Sequence, residues 1–365
     1  MNADEALTYA RQDAANASDA YEAAAHARAA VAAMPDKQRA LRHARAACAA
    51  ALGPLRSVAA WDAATYWDNV PEGFQAAHAS AAVLWAALDD CAGARLHVDV
   101  ATICASSARC SGPAREKRLA ALRSVRGAGG NSVAHVAPWS HASDVARPPQ
   151  KKRRVVEPLV DSMEVVAARA FRPGLAPKRI CDALVDSTLW PSVAALVKGF
   201  EDRHVPAERG QGADRRQEVV TLGALRDGVV GGGADAPYVA QHRLFDQIPE
   251  LRDGLGPTFL GLAPRDAVAA IWTGPGGTAT PAHYDPVDNV VGQFCGSKRW
   301  RLWRPSSGEP TGTPDYDVVA APGDALFVPR GWWHRVDSLP CATGAVSVSL
   351  WFDDESGELP AFSNR

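Results

Sequence analysis

The sequence predicts an α+β chain, an all-α region followed by a mainly β region, from two changes of texture along its 365 residues. Up to about Leu122, Ala, Arg, Leu and Asp dominate, prolines are few, and apolar residues recur at helical spacing, as in Val83, Leu84, Ala87 and Leu88. After Val160, Pro and Gly become frequent and short β-favouring runs follow one another. A chain of this length has room for about two domains of roughly 100–200 residues each.

Residues 1–125 are expected to form the helical domain, a bundle or a set of hairpins of antiparallel helices, that binds a partner protein. Breaks are expected at Met34-Pro35-Asp36, Gly53-Pro54 and Val70-Pro71-Glu72-Gly73, where proline removes a backbone donor and glycine frees the backbone. No repeat of fixed period emerges. Residues 126–158 have the Gly, Ser, Pro and basic composition of an exposed linker. Their run Lys151-Lys152-Arg153-Arg154 reads either as a nuclear import signal or as a solvated charge cluster. Residues 159–365 form the β domain, with strands expected at Ala267–Trp272, Val290–Phe294, Trp300–Trp303, Ala325–Val328 and Ala345–Phe352. Helices are expected outside them at Ile180–Val185 and Ser192–Phe200. Short strands at close intervals suggest a sandwich or barrel, and the version that holds a metal in its mouth is the double-stranded β-helix, a cupin-like jelly roll.

Charge narrows the classes of function. The 39 basic and 41 acidic side chains give a formal net charge of −2, so no broad field draws the chain to nucleic acid or an anionic membrane. No run approaches the roughly 20 apolar residues of a membrane span. The start Met1-Asn2-Ala3-Asp4-Glu5 lacks the features of a signal peptide, so residence in the nucleus, and also in the cytoplasm, is expected. Seven cysteines without a C-x-x-C pair read as reduced thiols, and Cys104 and Cys110 lack the second close pair that a zinc site of that kind needs.

One constellation carries chemistry. His283-Tyr284-Asp285 has H-x-D spacing, which on an extended segment turns both side chains to one face. A third ligand, His334, follows the turn and short strand Pro322-Gly323-Asp324-Ala325-Leu326-Phe327-Val328-Pro329. Two imidazoles and one carboxylate on one face of an octahedral ion leave three positions open, the arrangement of non-haem Fe(II) oxygenases. H-x-D triplets also arise by chance, so the neighbours matter. In Gly296-Ser297-Lys298-Arg299-Trp300, alternation puts Lys298 on the face of Trp300 and Leu302, where a buried carboxylate needs a cation; the opposite register would send Lys298 to solvent and Arg299 inward.

These residues resemble the jumonji-C (JmjC) oxygenases, most closely the branch of lysine demethylase 8 and the arginyl hydroxylases. The resemblance rests on Tyr238 to Leu251 (YVAQHRLFDQIPEL), on Trp272 to His283 (WTGPGGTATPAH) and on the Pro-Gly-Asp segment leading to His334. More weakly, it extends to the helices around Trp61, Trp67 and His78–Leu88. It implies Fe(II) held by His283, Asp285 and His334, with 2-oxoglutarate and dioxygen as co-substrates. It further implies co-substrate contacts from Tyr238, Thr280, Asn289 and Lys298, and a substrate pocket with Trp272 as its aromatic and Glu208 as its acid. An indole beside a carboxylate suits a guanidinium, whereas an ordinary surface role for Glu208 is an equal reading. The segment between Arg304 and Pro322 is shorter than usual in that branch, and Gln211, Gly212 and Ala213 stand where an aromatic is expected. The early strand of the family core is hard to find between Ile180 and Ala195.

The function implied is hydroxylation of a protein or peptide side chain, with arginine C-hydroxylation favoured because no separate histone-reading module is visible. The alternatives are demethylation of histone N-methyl-lysine by the same chemistry, or a non-catalytic cupin-like scaffold for a partner of the helical domain. Oxygenation of a small molecule or RNA base would use the same triad, but the RNA version lacks a basic stripe.

Overall fold

The computed structural model describes residues 3–127 and 176–352, apart from 16, 18–21, 35, 57–71, 89–92, 107–112, 182, 211–214, 234 and 306–308. The basic run Lys151–Arg154, most of the expected linker, Trp61, Trp67, Cys91 and Cys110 lie outside the described residues.

Six helices come first: α1 (Ala3–Ala15), α2 (Glu22–Ala32), α3 (Lys37–Arg56), α4 (Glu72–Leu88), α5 (Arg95–Ala105) and α6 (Pro113–Gly127). Alanine makes their packing close. Ala6, Ala10 and Ala14 recur every four residues on α1 and are buried, as are Ala40, Ala44, Ala47 and Ala51 along α3. The most enclosed helix is α4, which touches α1, α2, α3, α5 and α6. Arg118 on α6 grips Asp13 on α1 through two 2.8 Å bonds, Nε to Oδ2 and Nη2 to Oδ1, both side chains buried. Pro113 opens α6 at the first helical position, where its missing N–H costs nothing. Gly53-Pro54 does not end α3, which continues to Arg56. Proline removes one donor near the end of a 20-residue helix, and packing along the rest outweighs that loss.

The β region comprises β1 (Lys178–Ile180), α7 (Val193–Val197), β2 (His204–Arg209), β3 (Arg216–Thr221), α8 (Leu222–Gly231), β4 (Val239–His242), α9 (Leu244–Gln247), α10 (Pro257–Leu260), β5 (Val268–Gly274), β6 (Ala279–Tyr284), β7 (Asp288–Cys295), β8 (Lys298–Trp303), β9 (Tyr316–Ala320), β10 (Ala325–Val328), β11 (Trp333–Ser338) and β12 (Ala345–Phe352). A six-stranded sheet of order β1-β10-β7-β12-β5-β4 is accompanied by a four-stranded sheet of order β6-β11-β8-β9, and β2 pairs with β3 in a hairpin. All strand pairings within these sheets are antiparallel. This is the expected helical region followed by a cupin-like β domain.

Alternation along β12 separates two environments. Val346, Val348, Leu350 and Phe352 join the core under α7, α8 and α10, with Phe259 and Phe294 edge to face at 5.5 Å. Ser347, Ser349 and Trp351 face a cavity instead.

The expected helix Ile180–Val185 is absent, because Ile180 closes β1 and turns follow it. A short strand, β1, lies just before the stretch Ile180–Ala195 in which an early strand was hard to find. Its three residues, two of them basic, carry too little pattern to read, and pairing of Lys178 with Phe327 on β10 defines it. Ser192–Phe200 shortens to Val193–Val197: Ser192 Oγ caps the start by accepting from Ala195 N at 3.1 Å, and Gly199, at φ +85°, turns the chain away.

A buried polar network joins the two regions. Asp99 on α5 accepts from Arg203 Nε (2.8 Å), the His204 backbone N (2.9 Å) and Gln247 Nε2 (3.2 Å). Burial alone would raise the Asp99 pKa, but bonds from His204 and the charge of Arg203 hold it below the ordinary carboxylate value. Replacing Asp99 with Ala strands the Arg203 guanidinium and is expected to cost about 3–5 kcal/mol, read as a lower midpoint in denaturant unfolding. Because the pKa is depressed on folding, this contribution is present above the unfolded value and lost as the pH falls through the folded one. Unchanged stability would mean that the network does not join the regions.

Candidate active site

The site begins with strand register. On neighbouring strands β6 and β11, His283 and His334 are direct partners, and their rings lie 4.2 Å apart. Asp285 follows the end of β6, and its backbone carbonyl accepts from Gly331 N at 2.9 Å, tying it to the turn before β11. Arg330 secures the same turn, donating from its backbone N to Asp288 Oδ1 at 2.9 Å. His283 Nε2 then lies 4.0 Å from Asp285 Oδ1, and His334 Nε2 lies 3.9 Å from Asp285 Oδ2. One ligand atom from each residue falls within 4.8 Å of the others.

Hydrogen bonds set the tautomers. His283 Nδ1–H donates to Pro281 O (2.9 Å) and His334 Nδ1–H to Trp332 O (3.0 Å), which leaves the lone pair of each Nε2 free. Burial, then the neighbouring His283, push the pKa of His334 down to about 4, so the ring is neutral near pH 7. Asn289 Nδ2 and Trp351 Nε1 each donate to Asp285 Oδ2 at 3.3 Å and so aim the carboxylate. Two imidazoles and one carboxylate, pre-oriented on one face, fit a divalent ion of the Fe(II) type.

Beside the triad, a cavity of about 350 Å³, counted to its open mouth, runs toward Lys298. The alternation along β8 buries Lys298, Trp300 and Leu302 and exposes Arg299. Lys298 Nζ donates to Ser347 Oγ (2.7 Å) and Tyr238 Oη (3.1 Å), hydroxyls rather than carboxylates. Burial lowers its pKa to about 7. Asn289 Oδ1 and Trp300 Nε1 are buried without a hydrogen-bond partner among the described residues. A cation without a described carboxylate, two hydroxyls and uncommitted polar atoms suit a small dicarboxylate.

His283, Asp285, His334, Thr280, Asn289, Lys298 and Trp272 all line this cavity. Tyr238 reaches it through Lys298. Glu208 is not in the lining: its carboxylate is paired with Arg215, and its backbone bridges that of Tyr238 at 2.8 and 2.9 Å. Sequence reasoning missed Ser347, Ser349 and Trp351, although two serines and a tryptophan alternating with Val346, Val348 and Leu350 in one apolar strand are a legible sign of a polar inner face.

A β-sandwich that carries a His-x-Asp pair and a distal His around one cavity defines a metal-site jelly roll. Within it, residues 265–355 match the JmjC domain family. The chain is 31% identical over 207 residues to lysine-specific demethylase JMJ30 of Arabidopsis thaliana, covering 46% of this chain and 47% of that protein. It is 31% identical over 224 residues to lysine-specific demethylase 8 of Danio rerio, covering 49% and 54%. It thus spans about half the length of the curated relatives it matches. Among solved structures, the Escherichia coli ribosomal oxygenase YcfD aligns at 17% identity with a TM-score of 0.34, over 48% of each chain.

Proposed function

We propose that this chain is an Fe(II)- and 2-oxoglutarate-dependent oxygenase that hydroxylates a protein side chain, with arginine as the favoured target. The observation that carries the reading is the pairing of the His283, Asp285 and His334 donor set with a buried Lys298 that has only hydroxyl partners among the described residues. When bound, Fe(II) supplies the activation of dioxygen that places one oxygen atom on the substrate and the other in succinate, with loss of carbon dioxide from 2-oxoglutarate.

The chain's own residues bind, orient and exclude. His283, Asp285 and His334 hold the ion, while Asn289 and Trp351 keep the Asp285 carboxylate aimed. Lys298 takes the distal carboxylate of the co-substrate, with Tyr238, Thr280 and Asn289 as further polar contacts. Trp272, 6.3 Å from Trp351 in a T-shaped pair, forms an aromatic wall for the substrate. No side chain needs to act as a general base, since positioning and exclusion of water are the protein's contribution.

Arginine is favoured because no separate histone-reading module is visible in the sequence; Glu208, whose carboxylate is paired with Arg215 outside the cavity lining, carries no part of that preference. The names of the relatives favour a second reading, demethylation of N-methyl-lysine. Mass spectrometry separates the two on arginine-containing and methyl-lysine-containing peptides treated with the full chain, Fe(II) and 2-oxoglutarate. A gain of one oxygen on arginine supports the proposal, loss of a methyl group overturns the arginine assignment, and unmodified peptides with 2-oxoglutarate turned over to succinate only when a small-molecule substrate is added overturn the protein-substrate class. Nuclear residence, with Lys151–Arg154 as the import signal, and a partner protein on the helical region complete the reading.

A further inference from the structure

A second set of metal-ligating side chains lies away from the cavity, inside the helical region. Cys48 on α3, His78 on α4 and His97 on α5 are all buried, and one ligand atom from each falls within 4.8 Å of the others. His78 Nε2 lies 3.5 Å from His97 Nδ1. That is longer than the usual hydrogen bond of roughly 2.7–3.2 Å, but near the ~3.3 Å that tetrahedral geometry sets between two nitrogens each about 2.0 Å from one ion. Neither nitrogen of His78 is otherwise committed, since Nδ1 has no hydrogen-bond partner among the described residues. The Trp85 indole packs on His97 at 5.1 Å between ring centroids and closes one side.

From this geometry we infer that Cys48, His78 and His97 bind a thiophilic metal ion, zinc(II) or copper(I), which clamps α3, α4 and α5 together. One sulfur and two imidazoles are the donors such ions select over hard, oxygen-preferring cations. On binding, the Cys48 Sγ–H proton passes to water and the thiolate takes its place on the metal. The ion would be structural, because all three donors are closed off from solvent, and it is independent of the oxygenase reading.

The test uses the full chain carrying His283→Ala and His334→Ala, so that the first site does not contribute. Cobalt(II), as the spectroscopic stand-in for zinc(II), and copper(I), in competition with a chromogenic copper(I) chelator, are titrated separately. The expected result is one equivalent bound in at least one arm, with a thiolate-to-metal charge-transfer band if cobalt binds and a raised melting temperature. Cys48→Ala should abolish binding, and His97→Gln should weaken it at least tenfold. Circular dichroism checks the fold of each variant, and if Cys48→Ala is unfolded the His97→Gln comparison decides. No binding in either arm, or binding that the folded variants leave unchanged, would overturn the inference.

Discussion

Replacing His334 with Ala is expected to lower 2-oxoglutarate turnover more than about 100-fold. Even residues that only orient a ligand change metal affinity or activity by about 10–100-fold when replaced, and His334 is placed to be a ligand itself. Its ring is buried, neutral near pH 7, and fixed by Trp332 O with Nε2 turned to Asp285 and His283. Alanine leaves a two-donor set, and no other His, Cys, Asp or Glu joins this cluster among the described residues. Trp351→Phe makes a graded comparison, because it deletes one donor to Asp285 Oδ2 while keeping an aromatic ring. A loss of about tenfold is expected there. Succinate release against time measures both, with thermal melting to confirm that each variant is folded. His334→Ala with wild-type turnover would remove the residue from the metal site.

The second large effect concerns Lys298 and has opposite signs for stability and binding. Burial lowers its pKa from 10.5 to about 7 without a compensating carboxylate in the fold. The sign follows from linkage: the charged form is penalised in the folded state, so the cost is absent above about pH 10.5 and complete below about pH 7. At about 1.4 kcal/mol per unit this is on the order of 5 kcal/mol. Lys298→Met should therefore raise the melting temperature of the ligand-free chain by several degrees at pH 7, with the difference shrinking as the pH is raised toward 10. The same variant should lose 2-oxoglutarate affinity by 100-fold or more, since a hydrogen bond to a charged group is removed from a buried carboxylate. In the wild type, affinity should weaken as the pH rises above about 7, where the free lysine loses its proton. Lower stability with retained affinity in Lys298→Met would show that the ammonium serves the fold.

How much of this was legible in the sequence depends on the physics that places each residue. His283 and Asp285 are two apart on an extended segment, so one face holds both by local geometry alone. Lys298 was readable because Trp300 and Leu302 mark the buried face of β8. His334 depended on a long-range pairing, β11 with β6, and only its position after Pro322-Gly323-Asp324 hinted at it. The strands that were missed had polar faces or were short. β2 (HVPAER) and β3 (RQEVVT) carry charge on residues that the hairpin leaves half exposed, and β1 is held by its partner rather than by its own three residues. Glu208 shows the limit of analogy: Arg215, which decides what its carboxylate does, stands just before β3, the strand that pairs with β2.

The assignment rests most directly on the claim that His283, Asp285 and His334 hold an ion which also takes 2-oxoglutarate. Visible absorbance of the purified chain under anaerobic conditions, on adding Fe(II) and then 2-oxoglutarate beside a His283→Ala control, tests that claim. A metal-to-ligand charge-transfer band that appears only with both additions and only in the wild type is the predicted result. A featureless spectrum in the folded wild-type chain would contradict the account and leave the β domain as a binding scaffold.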